Sequence, residues 1–283
     1  MSKSEGNPVA GTSGDAIRRI FGRGKVVIGV VHCLALPGAP AYEGAPMRAI
    51  IERALTDAEA YVTGGCDGLI VENHGDIPFL KPDEIGPETA ACLAVIAERL
   101  GARFAVPLGV NVLANGARHA LAVAKAAGCA FIRVNQWANA YVANEGFIEG
   151  RAGAALRYRA AIGARDVAVF ADAHVKHGAH AIVADRPIAE LARDVAFFQA
   201  DAVIATGSRT GDPATDAELA TIRGATHLPV LVGSGVTVES VEWILGRADG
   251  VIVASALKEG GVWWNPVAPE RVRAFVAAAR QRR

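Results

Sequence analysis

The chain has 283 residues, and its 29 Lys+Arg balance 29 Asp+Glu, so the formal net charge is zero. That balance argues against a nucleic-acid binder, which would carry a basic excess, and against an acidic tail protein. A 52% hydrophobic share with only 6% aromatics describes an interior of small and β-branched side chains, which suits parallel strands covered by helices.

Met1 to Lys25 begins polar and Gly/Ser-rich, with no apolar signal-peptide core. Residues 1–25 are therefore read as a short polar N-terminal extension, and residues 26–283 as one domain. From Val26 onward, β-branched runs alternate with amphipathic stretches. In chain order the expected strand–helix pairs begin with Val26–Cys33 and Pro46–Thr63, Gly68–Asn73 and Pro87–Leu100, then Ala105–Val112 and Gly116–Ala127. Phe131–Asn135 and Arg151–Ile162 follow, then Asp166–His174 and Pro187–Gln199. The last three pairs are Ala202–Thr206 with Ala214–Ile222, Pro229–Gly235 with Val238–Leu245, and Gly250–Leu257 with Pro269–Arg280. Pro46, Pro187 and Pro269 stand where a first helical turn tolerates proline, and Gly64, Gly101, Gly128 and Gly163 follow helices as caps do. Eight such units, in a length where one core takes about 250 residues, predict a single (β/α)8 TIM barrel of the α/β class. No linker is long enough to divide it.

Cys33, Cys66, Cys92 and Cys129 are scattered, with no CxxC pair, so neither a disulfide framework nor a zinc clip is expected and a reducing compartment fits. The longest weakly charged run starts at Val26 but meets His32, Pro37 and Pro40, too broken to span a bilayer. A cytoplasmic location without a membrane span is the resulting expectation.

Residues of like parity on a strand point the same way. Near the C-terminal strand ends one parity class repeatedly carries polar groups: His32 on the first strand; Glu72 and His74 at the second; Asn111 on the third; Arg133 and Asn135 on the fourth. Asp172, His174 and Lys176 follow at the fifth, and Thr206 and Ser208 at the sixth. Strand ends are often polar simply because they approach water. Six of them on matching parity at one end point instead to the mouth where barrels of this kind assemble active sites.

The seventh strand runs Pro229-Val-Leu-Val-Gly-Ser-Gly-Val236, with Thr237 expected to open a helix, and the eighth ends Ala254-Ser255-Ala256. Gly233 and Gly235 permit close backbone approach to an anion, and Ser234 and Ser255 add hydroxyl donors. These four residues are the expected phosphate site, and a small phosphorylated molecule the expected ligand. Glycines that merely end a crowded strand are the plainer alternative.

Catalytic candidates are Glu72, Asp172, His174 and Lys176. A buried Lys176 can act as base or Schiff-base nucleophile, or it can pair with Asp172 or Glu72 as a structural ion pair. His32, Asn111, Arg133, Asn135 and Thr206 are candidate substrate-binding groups, Arg133 through its bidentate fork. No motif calls for a cofactor. Glu72, Asp172 and His174, with His32, carry ligand types for a divalent metal, but without HxH or HExxH spacing. Thr206–Gly211 reads as a lid or an ordinary turn, and Trp263–Trp264 as a pocket wall or a subunit contact in an expected homo-oligomer.

Several of these segments resemble the BtpA/SgcQ family: Val31-His-Cys-Leu-Ala-Leu-Pro-Gly38, Asp67-Gly-Leu-Ile-Val-Glu-Asn73, Asp76-Ile-Pro-Phe79 and Gly109-Val-Asn-Val-Leu113. So do Phe131-Ile-Arg-Val-Asn135, Ala171-Asp172, Val175-Lys-His177, Thr206-Gly with Thr210-Gly211, and Gly233-Ser-Gly-Val-Thr237. The resemblance runs from about Val26 to Val276 and leaves the N-terminal extension outside. Ala173 stands where a β-branched residue is common, and Asn115-Gly116 where Asn-Asp is usual. The resemblance implies a barrel. One branch of the family is named for photosystem I biogenesis, and another is similar to proteins encoded beside phosphosugar enzymes. The functional expectation is an enzyme acting on a phosphosugar or nucleoside-like phosphate, as isomerase or C–N/C–C lyase, at the barrel mouth. The alternative is a non-catalytic assembly or regulatory factor.

Overall fold

The computed structural model describes residues 15–176, 178–207 and 214–282. Eight parallel strands close into a barrel: β1 (Val26–His32), β2 (Gly68–Glu72), β3 (Leu108–Asn111), β4 (Phe131–Val134), β7 (Ala168–His174), β8 (Ala202–Ala205), β9 (Val230–Val232) and β10 (Gly250–Val253). Two further strands, β5 (Ala140–Ala143) and β6 (Gly146–Glu149), form a separate antiparallel hairpin between β4 and β7. The β10–β1 pairing closes the ring. The expected barrel is the fold.

Helices α2 (Met47–Thr63), α3 (Pro87–Arg103), α4 (Ala117–Ala127), α5 (Ala152–Ala161), α6 (Ile188–Phe197), α7 (Asp216–Ala225), α8 (Val241–Leu245) and α9 (Pro269–Ala279) cover the outside. Alternation along each strand divides the core into two. One parity, including Val27, Val71, Val110 and Val203, packs under the helices. The other, including Ile28, Ile70, Phe131, Phe170, Ile204, Leu231 and Ile252, fills the barrel. Phe131 and Phe170 stack at 4.5 Å in that interior. Gly109 makes room for them, since a Cβ there would lie 2.3 Å from the Phe131 ring.

The stretch before Val26 is not wholly polar extension. Helix α1 (Ala16–Phe21) is capped by Asp15, whose side chain accepts from the Ile17 and Arg18 amides, and ends at Gly22 with φ of 69°. Its Ile17 is fully buried with the barrel-filling side chains, and Phe21 meets Phe131 at 5.9 Å between ring centres. The helix plugs the end opposite the polar mouth. Its signal, an Asp cap and a Gly stop around Ala-Ile-Arg-Arg-Ile-Phe, is diluted by the polar residues before it.

Most strands end before their expected last residue, β9 at Val232 and β10 at Val253, and one change matters for the site. Thr237 does not open a helix: Thr237–Ser240 forms a turn, closed by the Val241 amide on the Thr237 carbonyl, and α8 starts only at Val241. Among the described residues, no helix is long and apolar enough to cross a membrane.

Candidate functional site

A cavity of about 930 Å³ opens over the C-terminal strand ends. Of the residues singled out by parity, His32, Glu72, His74, Asn111, Arg133, Asn135 and Lys176 line it, as do Gly233, Ser234, Gly235 and Ser255. The loop after β10 contributes Trp263 and Trp264, which line the cavity, Trp264 at its exposed rim. The hairpin adds Tyr141, Asn144 and Glu145. Sequence reasoning missed that contribution, although Tyr-Val-Ala-Asn-Glu-Gly-Phe-Ile over 141–148 carries a turn between two alternating runs.

Three expected residues do not face the cavity. Asp172 has a fully buried side chain bound by Arg133, which donates from Nε to Oδ1 and from the guanidinium end to Oδ2, both at 3.1 Å. Asn135 Nδ2 donates to the same Oδ2 at 3.2 Å. Asp172 thus holds the two residues above it. His174 is turned away by a bulge: β7 pairs Asp172 with Ile204 but His174 with Ala205, so two residues answer one and the parity reverses. Its ring stacks on His180 at 3.7 Å, and burial, helped by His180, lowers its pKa to about 4. Thr206 is fully buried, its hydroxyl donating to the His174 carbonyl at 2.7 Å. It latches the bulge rather than meeting a ligand. Of the expected lid, Ser208 to Gly211 lies outside the described residues, as does His177.

The metal set proposed from sequence is also rearranged. Glu72, Asp172 and His174 do not converge. Among the described residues, the group whose ligand atoms lie within 4.8 Å of one another is His32, Glu72 and His74.

The β1–β2 wall is carboxylate and imidazole. His74 Nδ1 lies 3.0 Å and His32 Nε2 3.6 Å from Oε1 of Glu72, while Asn111 Nδ2 donates to Oε2 at 2.6 Å. Burial opposes ionisation of Glu72, yet the His74 hydrogen bond and the nearby positive charge of Arg133 hold its carboxyl well below the usual range. His32 is driven to about 3 by burial, against the pull of Glu72, so its ring is neutral. Trp263 closes this wall, edge-on to His74 at 4.5 Å.

The β7–β9–β10 wall is cationic and glycine-lined. Lys176 Nζ donates to Ser234 Oγ at 3.1 Å. Burial lowers its pKa to about 8, with Arg133 pushing the same way against Asp172 and Glu72. Gly233 brings backbone against the Arg133 guanidinium: a Cβ would sit 3.5 Å from it and 2.7 Å from Ile204. Gly235 adopts φ of 64°, in the left-handed region. Arg133 stays charged despite burial because Asp172 is beside it.

The arrangement can bind an anion on one wall and hold proton-active groups on the other. Comparison with known proteins bears on its ancestry. A protein of Archaeoglobus fulgidus is 44% identical over 256 residues, covering 90% of this chain and 99% of the relative. The Photosystem I biogenesis protein BtpA of Synechocystis is 40% identical, covering 89% of this chain and 87% of that one. Among solved structures, tryptophan synthase from Mycobacterium tuberculosis superposes with a TM-score of 0.60 at 18% identity, covering 94% and 99% of the two chains, a likeness of fold alone. The BtpA family model matches residues 23–281, and with these relatives it shows that the chain belongs to the BtpA family.

Proposed function

We propose that the chain is an enzyme acting on a small phosphorylated substrate at the barrel mouth, as an isomerase or C–N/C–C lyase. The observation that carries this reading is the Lys176–Ser234 contact on a glycine-lined wall. An ammonium, a hydroxyl and close-approaching backbone are the parts a phosphate needs, and Ser255 adds a second hydroxyl across the same wall.

Near neutral pH, Lys176 is mainly protonated, with a pKa close enough to give up its proton. It serves as the phosphate's countercharge and as the proton carrier, a role that His174, turned outward, does not share. Arg133 and Asn135, held by Asp172, and Asn111, held by Glu72, grip the polar body of the substrate. Trp263 and Phe79 offer it an apolar flank.

A thermal-shift screen of phosphosugars, nucleoside monophosphates and inorganic phosphate tests the reading. A ligand at about 100 times its dissociation constant adds roughly 2.7 kcal/mol of stability. The expected result is a shift from phosphorylated compounds, absent from their dephosphorylated counterparts and lost in Ser234→Ala. No shift from any of them overturns it. In that case the outer surface, where Phe197 is 81% exposed, gains weight as the contact face of an assembly factor.

A further inference from the structure

One feature of the β1–β2 wall has no use in phosphate binding. His32 is 9% exposed, and its Nδ1 lies 3.2 Å from the Trp263 carbonyl oxygen. A carbonyl only accepts, so Nδ1 carries a proton and Nε2 is the ring atom left to face a ligand. That nitrogen faces Oε1 of Glu72 at 3.6 Å.

We propose that His32, Glu72 and His74 bind a divalent first-row transition-metal ion at the edge of the cavity. Ligand atoms held about 2.0–2.2 Å from one ion lie about 3–3.5 Å from each other. The contacts here, 3.0 and 3.6 Å, bracket that spacing. Each fixed ligand also has the outer support that such ligands use. The Trp263 carbonyl sets the tautomer of His32, and Asn111 occupies Oε2 of Glu72, leaving Oε1 for the ion. Asn111 supplies a second, independent sign: it is 1% exposed, lines the cavity, and its Oδ1 has no partner. A water on the ion would donate to it.

The His32 and His74 rings stack at 4.3 Å with planes only 14° apart, so one must turn for both to share an ion. His74 is the free one, its side chain 27% exposed in a short turn after β2, whereas His32 is pinned. Two imidazoles and one carboxylate suit Zn²⁺, Co²⁺, Fe²⁺ or Mn²⁺ rather than Mg²⁺ or Ca²⁺, which prefer oxygen ligands. Three protein ligands leave a position open toward the cavity, as an ion acting on a substrate requires. This inference goes beyond the phosphate reading and needs nothing from the Lys176 wall.

The test is titration of chelator-treated protein with Co²⁺ alone, followed by visible absorption and calorimetry. One Co²⁺ per chain is expected, displaced by Zn²⁺. Glu72→Gln and His74→Ala should each weaken binding more than about 100-fold, and Asn111→Ala about 10–100-fold. His180→Ala, on the β7 side, should leave it unchanged. Glu72→Gln keeps the shape of the side chain and His74 is only partly buried, and unchanged far-UV circular dichroism checks both folds. Absence of saturable Co²⁺ binding overturns the site, as does binding that survives both variants. Phosphate affinity of the same metal-free protein is read in parallel. Phosphate binding lost with Co²⁺ binding intact sinks the proposed function alone, and the converse sinks only the metal site.

Discussion

The two walls of the mouth face one cavity with opposite chemistry. On the β1–β2 side an ionised Glu72 sits among a neutral imidazole, an amide and an indole. On the β7–β9–β10 side stand Lys176, hydroxyls and glycine backbone, the parts the proposed phosphate site would use. One buried cation influences both. Arg133, tied to Asp172, helps keep Glu72 ionised and also pushes Lys176 toward neutrality. The lesson is that the Arg133–Asp172 pair sets the two walls apart without belonging to either.

The largest expected effect comes from breaking that pair. Removing one partner of a buried ion pair costs about 3–5 kcal/mol, because the other charge is left uncompensated. Asp172→Leu should lose that much stability in a denaturant titration, and the double variant Arg133→Met/Asp172→Leu should recover most of it. Asp172→Asn is the milder probe. Lys176 loses the favourable charge of Asp172 but keeps the repulsion of Arg133, so its pKa should fall below about 8. Phosphate binding should then fade at lower pH than in the parent. A pH profile that does not move would detach Asp172 from the control of Lys176.

Next in size is Lys176 itself. Lys176→Met should weaken phosphate about 10–100-fold, equivalent to about 1.4–2.8 kcal/mol, and leave Co²⁺ binding alone. It should also stabilise the protein. The folded pKa of about 8 lies below the ordinary 10.5, so the unfolded chain binds the proton more tightly. In the parent, that penalty is fully present below about pH 8 and is relieved as pH rises toward 10.5. The variant should be about 1–3 kcal/mol more stable at pH 7 and lack that slope. A destabilised variant would mean that the ammonium is an ordinary structural partner.

Much of this was legible in the sequence. Eight β-branched runs with capped helices predicted the ring because closure needs only pattern and count, and strand parity found His32, Glu72, Asn111 and Arg133 because regular strands keep their alternation. Parity failed where regularity did. The bulge between Asp172 and His174 reverses the face of His174, and no local residue preference announces it. Asp172 was expected to project into the mouth beside His174 and Lys176, but the Arg133 guanidinium binds it beneath the cavity instead, which no sequence spacing announces. His74 continued the parity past the end of β2, yet its pairing with His32 depends on a turn that brings the ring back over the strand end. The hairpin and α1 carried recognisable turn and cap signals that the eight-unit pattern overshadowed.

The smallest expected effect is the cleanest separation of the walls. Gly235 holds φ of 64°, where a Cβ crowds the following carbonyl at a cost of about 1–2 kcal/mol. Gly235→Ala should therefore lose about that much stability, or shift the loop and keep the stability. In either case the backbone on the anion wall moves relative to Ser234 and Lys176, so phosphate affinity should fall. Glu72 and His32 stand on other strands and His74 in the turn after β2, and among the described residues none of them is hydrogen-bonded to this loop. Co²⁺ affinity should stay within twofold to threefold of the parent, the ordinary scatter for sites without shared partners. If both affinities fall together, the walls communicate through Arg133, and the mouth is one coupled site rather than two adjoining ones.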